Sequence, residues 1–199
     1  MSAIAFNSNW TSVDKDKLED THHLCIRVGY IGTNAIILIN ASTQRLHLIL
    51  DNRSISYPIS TAKNGLGEIE GSEQTPRGLH SIVEKIGDGD EPDTVFQSRE
   101  KVETRANFYS KNSLETPKPS SQIVARILRL EGLEPGINSG LNKAGANVDS
   151  YNRYIYIHGT NLLADLGANE SRGCIRMHPK DVIELFNQVP TSSIVYIYN

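Results

Sequence analysis

The sequence is poor in cysteine, in any excess of one charge sign and in long apolar runs. Its 199 residues include two cysteines, Cys25 and Cys174. Two thiols cannot make a disulfide framework or a zinc ribbon. They leave open a single bridge, or two free thiols with separate roles. Lysine and arginine total 20 against 23 aspartates and glutamates, a formal net charge of −3. That excludes a strongly basic surface for wrapping nucleic acid. The longest aliphatic run, Ala35 to Ile39, stops at Asn40. A membrane-crossing helix needs about 20 apolar residues. Met1 to Leu24 carries Asp14, Lys15, Asp16, Lys17, Glu19 and Asp20 where a secretory leader needs an apolar stretch. Internal repeats and low-complexity tracts are also lacking.

The sequence has the balance of a folded domain. Apolar residues make up 38% and charged residues 22%, which is globular, and the length suits one core. Residues 1–23 read as a polar extension. From Leu24 the pattern turns β-like, through Leu24–Tyr30 and then Ala35–Ile39. Asn40–Gln44 and Asp51–Arg53 read as polar turns. Between and after them, Leu46, Leu48 and Leu50, then Ile55, Tyr57 and Ile59, alternate as strand residues do. Short strands joined by tight turns predict an antiparallel meander. Residues 62–78 read as a loop and Leu79–Ile86 as a further strand. Residues 87–119 are charged and read as a long loop or lid. Ser120 or Ser121 suits a helix cap. Ile123, Val124, Ile127, Leu128 and Leu130 then follow helical spacing up to a stop at Gly132. After a loop at 134–150, Tyr154–Ile157 predicts a strand running into His158. Pro179 opens a helix with Val182, Ile183, Phe186 and Val189 on one face, and Ile194–Tyr198 closes the chain as a strand. The expected fold is mainly β and sandwich-like, with one or two packed helices.

The chemistry concentrates in Tyr154–Met177, YIYIHGTNLLADLGANESRGCIRM. His158 sits at a strand end, and Cys174 follows it by 16 residues. A cysteine nucleophile works as its thiolate, and a free thiol near neutral pH is mostly protonated. A neighbouring imidazole can take that proton. Gly173 lets the backbone approach a bound carbonyl, and N–H groups around Gly173 and Cys174 suit an oxyanion hole. Arg176 adds a positive charge favouring a thiolate or an anionic substrate. Each residue also has a plainer reading: a core cysteine, a structural histidine, a surface arginine. Sequence spacing alone does not bring His158 and Cys174 together in space.

The segment as a whole resembles the signature of the L,D-transpeptidase catalytic domain family, the YkuD-like family. That signature is a histidine-glycine, a spacer, then serine-any-glycine-cysteine, an aliphatic residue and arginine or asparagine. It is matched at His158, Gly159, Ser171, Gly173, Cys174, Ile175 and Arg176. Arg172 stands where the family often has histidine. Upstream, Tyr57–Thr61 and Thr75–Ile82, with its TPRG, resemble the family's core strand and TPxG segment. The resemblance covers residues 33–198, and a catalytic domain is expected over 24–199.

The resemblance implies a β-sandwich-like fold and a reaction on peptidoglycan stem peptides. Cys174 would attack the third residue of a tetrapeptide donor, releasing D-alanine and forming a thioester. An acceptor amine from another stem would resolve it as a 3→3 crosslink. His158 would be the base, oriented by the Gly159 carbonyl. Ser171, Arg172, Gly173, Arg176 and His80 would line the substrate or oxyanion site. No metal or organic cofactor is implied, and carbapenems acylate the family's cysteine. Two other readings stay open. One is a hydrolase on the same scaffold, either an L,D-carboxypeptidase or an amidase. The other is a non-catalytic wall-binding module. The substrate places the protein in the cell envelope, although no leader is visible, and a cytoplasmic role on recycled wall fragments is the other possibility.

Outside this segment the residues favour plainer roles. Cys25 reads as structural, and a Cys25–Cys174 bridge would block the nucleophile. His80 fits substrate contact and core packing equally. His178, before Pro179, reads as a cap, while His22 and His23 read as solvated. The spacing of His80, His158, Cys174 and His178 does not suit zinc. The acidic run Asp88, Asp90, Glu91 and Asp93 does not match an EF-hand loop.

Overall fold

A computed structural model describes residues 15–30, 35–50, 53–111 and 118–199. Ten strands form one sheet: β1 (Ile36–Asn40), β2 (Arg45–Leu50), β3 (Arg53–Ser60), β4 (Gly78–Ile86), β5 (Thr94–Gln97), β6 (Glu100–Arg105), β7 (Ile123–Gly132), β8 (Tyr156–Thr160), β9 (Ile175–Met177) and β10 (Ile194–Tyr198). Their order is β4-β10-β1-β2-β3-β9-β8-β7-β5-β6, and β4 also pairs with β7. That extra pairing closes the sheet into a barrel-like sandwich, with β5 and β6 hanging from its rim as a hairpin. Closure removes most of the open edges that would otherwise invite pairing with another chain. The mainly β, sandwich-like expectation therefore holds, and β1–β2–β3 is the predicted antiparallel meander.

Burial on both faces explains the run at β1. Ile37 and Ile39 point into the main core, while Ile36 and Leu38 face a second cluster under helix α1 (Lys15–Val28). Each fully buried Leu or Ile contributes about 1.5–3 kcal/mol through surface removed from water. Helix α2 (Pro179–Gln188) packs Val182, Leu185 and Phe186 into the main core beside β7 and β8. His178 caps it as expected, its Nδ1 accepting from the Lys180 N–H at 3.2 Å.

Three expectations are corrected. Residues 24–28 are helical, so the predicted boundary at 23/24 falls inside α1. Leu18, Thr21 and Cys25 are buried at helical spacing on one narrow stripe, and the local alternation at 24–28 masked it. Second, the predicted helix after Ser121 is the central strand β7. Its register with β8 shifts between Val124 and Ile127, where Ala125 takes φ +66°. This bulge moves the inward series from Val124 to Leu128 and Leu130, and a slipped period of two imitates helical spacing. Third, the segment expected as loop over 87–119 contains the β5–β6 hairpin, turned at Ser98 and Arg99, both with positive φ. Residues 112–117 of that segment lie outside the described residues, as do 51–52 of the predicted second turn. Among the described residues no helix is long and apolar enough to cross a membrane.

Candidate active site

Strand β8 carries the histidine. Tyr156, His158 and Thr160 point to one face of the sheet, and Ile157 and Gly159 to the other. Gly159 has no room for a side chain, because a Cβ there would lie 2.5 Å from the Val124 carbonyl and 3.2 Å from Val182 of α2. The His158 ring is buried, and its Nδ1 lies 2.8 Å from the Gly159 carbonyl oxygen. A carbonyl oxygen only accepts, so Nδ1 carries the ring proton and Nε2 keeps its lone pair. Burial, opposed by the Gly159 bond and helped by the Arg176 charge, lowers the imidazole pKa to about 4. The imidazole is therefore neutral at pH 7 and has a nitrogen free to accept a proton.

Strand β9 runs parallel beside β8, pairing Ile157 with Ile175 and His158 with Arg176. Ile175 and Met177 face the core. Arg176, two residues from Cys174, shares the histidine's face, and Cys174 packs with Phe96, Ile127 and Tyr156. The topology thus places His158 on β8 and Cys174 in the loop that leads directly into the neighbouring strand β9. The Cys174 Sγ donates to the Tyr154 carbonyl at 3.4 Å. Burial pushes its pKa up, while the Tyr156 backbone and the Arg176 and Arg153 guanidinium groups pull it down. The raised result leaves the thiol, like the His158 imidazole, neutral near pH 7.

The loop before Cys174 is held from three sides. Gly173 has φ +125°, a conformation closed to residues with a Cβ. The Ser171 hydroxyl donates to the Cys174 carbonyl at 2.6 Å and accepts the Gly173 N–H at 3.2 Å. The Gly173 amide expected in an oxyanion hole is thus already partnered, and it must leave Ser171 to serve there. From the TPRG segment, the buried Thr75 hydroxyl donates to the Gly173 carbonyl at 2.8 Å and accepts from the Ala62 N–H at 3.0 Å. Arg153 ties the 62–78 loop to the strand entrance by donating to the carbonyls of Glu68 at 2.6 Å and Gln74 at 2.7 Å.

The expected site residues divide. His158, Gly159, Ser171, Gly173, Cys174 and Arg176 gather in one region. Arg172 is exposed on the same loop. His80 does not join them. It is fully buried in β4, with Nδ1 3.0 Å from the Gly78 carbonyl and Nε2 2.9 Å from the Ser150 hydroxyl. Nδ1 bonds within β4 and Nε2 fastens the strand to the 134–150 loop, so no nitrogen remains for a ligand. Cys25, inside α1, is a free buried thiol whose pKa burial pushes up to about 11. Thr75, Arg153 and Asp165 had not been singled out. Asp165 is buried and joins Arg176 at 3.4 Å and Lys118 at 2.6 Å. Among the described residues no group of three His, Cys, Asp or Glu side chains could hold a metal ion.

A closed β fold with a buried strand histidine and, in the loop leading into the neighbouring strand, a cysteine defines the class of domain. The comparisons specify it. The chain matches the L,D-transpeptidase catalytic domain, YkuD, over residues 34–197, and it belongs to that family. It is 27% identical over 162 residues to the Bacillus subtilis protein YqjB, classed as an L,D-transpeptidase, covering 81% of this chain and 69% of that one. It is 58% identical over 41 residues to Bacillus subtilis YkuD, covering 21% of this chain and 25% of that one. Crystalline L,D-transpeptidase 3 from Mycobacterium tuberculosis, in complex with a faropenem-derived adduct, shares the fold at a TM-score of 0.50 and 14% identity. That match covers 83% of this chain and 60% of that one.

Proposed function

We propose that this domain is a cysteine L,D-transpeptidase that forms a thioester on Cys174 and acts on peptidoglycan stem peptides. The observation carrying the reading is the His158 Nδ1–Gly159 bond, which leaves Nε2 as acceptor on the strand beside the cysteine's loop. Sγ attacks the carbonyl of the third stem residue as its proton passes to Nε2. The tetrahedral centre collapses, the C–N bond to the terminal D-alanine breaks, and the imidazolium protonates the departing amine. The amine of a second stem then attacks the thioester and gives a proton to His158. The sulfur leaves and is reprotonated, so the new amide is a 3→3 crosslink. This substrate lies in the cell envelope, which is where the protein is proposed to act. A β-lactam adduct on a neighbour of the same fold supports a similar adduct here.

The test is mass analysis of tetrapeptide muropeptides incubated with the protein. Crosslinked dimers that vanish in Cys174→Ala are expected. Tripeptides alone would replace the transferase with a carboxypeptidase. Binding without turnover or β-lactam adduct would leave a wall-binding module.

A further inference from the structure

Three residues with unusual backbone conformations lie at or near the surroundings of Cys174: Tyr154 touches it, and Ser98 and Arg99 form a turn whose arginine reaches Tyr154 and Tyr156. Tyr154, whose carbonyl accepts the thiol, has φ +56° and leaves half of its side chain exposed. Ser98 and Arg99, with φ 50° and 72°, form the β5–β6 turn. Such conformations cost non-glycine residues energy and need support from their surroundings. Arg99 donates from Nη1 to the Tyr156 hydroxyl at 3.2 Å, and its Cζ lies 5.3 Å from the Tyr154 ring. Tyr156 belongs, with Phe96 and Ile127, to the cluster against which Cys174 packs. Arg129 also has its Cζ 5.3 Å from the Tyr154 ring, and 3.5 Å from the Tyr151 ring.

The two guanidinium groups have spare donors. Arg129 is buried, and its Nε–H has no hydrogen-bond partner among the described residues. Its carboxylate neighbour is the half-exposed Glu84 at 3.4 Å. No carboxylate among the described residues lies within 4 Å of Arg99. A planar fork with unused N–H groups, stacked near exposed tyrosines, is suited to a carboxylate in a partly desolvated place.

We propose that Arg99, backed by Arg129 at the Tyr154 ring, is a carboxylate-binding subsite that docks the acyl donor at Cys174. The ligand is a peptide with a free carboxylate within one residue of the scissile carbonyl. That carboxylate belongs either to the C-terminus of the leaving residue or to the side chain of the diamino acid. The inference rests on the reading of Cys174 as the acyl acceptor, and it assigns a selectivity that the catalytic pair cannot supply.

The experiment compares three tetrapeptide donors: the free acid, the C-terminal amide and the side-chain amide of the diamino acid. The wild-type protein is expected to prefer the free acid about tenfold over one of the amides, the effect of one charge-assisted hydrogen bond. The amide that loses identifies the carboxylate. R99Q abolishes that preference through KM with kcat retained, and R99K restores part of it. Alkylation of Cys174 by iodoacetamide, a neutral probe, proceeds alike in wild type and R99Q, which separates the subsite from the nucleophile. An unchanged acid-to-amide ratio in R99Q overturns the proposal, as does an equal loss on all three donors. Calorimetric binding of the same peptides to C174A and to R99Q/C174A keeps the subsite testable if turnover is absent. Selective binding there without turnover would count against the catalytic reading alone, and unselective binding against the subsite.

Discussion

The Thr75 hydroxyl donates to the carbonyl of Gly173, 98 residues away in the chain, and accepts from the Ala62 amide. One side chain thus fixes the residue before the cysteine to the end of the β3 segment. Thr75→Val keeps the shape and removes both bonds. It leaves a buried carbonyl and a buried N–H unpaired, at about 1–3 kcal/mol each. The expected outcome is a lower midpoint in urea, together with faster and less selective alkylation of Cys174 as its loop loosens. An alkylation rate equal to wild type would mean that Ser171 alone holds the loop.

Under the proposed mechanism, His158 sets the acid limit of the reaction. Its pKa is lowered to about 4, mainly by burial. In the proposed mechanism the neutral ring is the proton acceptor, so activity is expected to fall as pH drops through about 4 and to be steady between there and neutrality. Because kcat/KM reports groups of the free enzyme, its acid limb should lie near 4 and not near the ordinary histidine value of about 6.5. A limb at 6.5 would show an imidazole exposed to water in the working enzyme. His158→Gln should lower kcat by about 10²–10⁴-fold while near-ultraviolet circular dichroism still reports a folded core.

The family motif was legible in the sequence because it is contiguous, and its fold context was less so. The glycine-cysteine loop, the strand histidine and helix α2 all follow local rules. Strand β7 did not, because a bulge at Ala125 converts strand alternation into apparent helical spacing. The β5–β6 turn was hidden because Ser98 and Arg99 occupy conformations for which glycine or asparagine is the usual signal. Thr75 lay inside the quoted TPRG segment, but its partner is distant in sequence. Asp165 did leave a trace: a lone acid within the apolar stretch Leu162–Leu166 has to find a cation if it is buried.

His80 makes stability depend on pH without touching the site. Its ring is buried neutral, with a pKa lowered to about 4, chiefly by desolvation. The unfolded chain binds a proton at this residue below about 6.5, whereas the folded one does so only below about 4. Stability is therefore complete above 6.5 and is lost as pH falls toward 4, by an order of about 3 kcal/mol for this group. His158 contributes with the same sign. His80→Gln should flatten the fall in unfolding free energy between pH 7 and 4.5, measured by urea titration. A slope equal to wild type would assign the whole effect elsewhere.

Asp165 neutralises Arg176 beneath the site and reaches Lys118 with its other oxygen. The two partners are not equivalent. Arg176 and Asp165 are both buried, whereas the Lys118 side chain is 41% exposed. Removing an exposed partner costs little, about 0–1 kcal/mol. Removing the buried acid leaves a guanidinium without its counter-charge, at about 3–5 kcal/mol. Lys118→Met should therefore melt close to wild type and Asp165→Asn well below it. Asp165→Asn also increases the net positive field on Cys174 and His158 by freeing Arg176. The thiol should then ionise at lower pH, visible as a shift in the thiolate absorbance titration toward neutrality. Equal melting temperatures in the two variants would show that Arg176 finds another acceptor when Asp165 is lost.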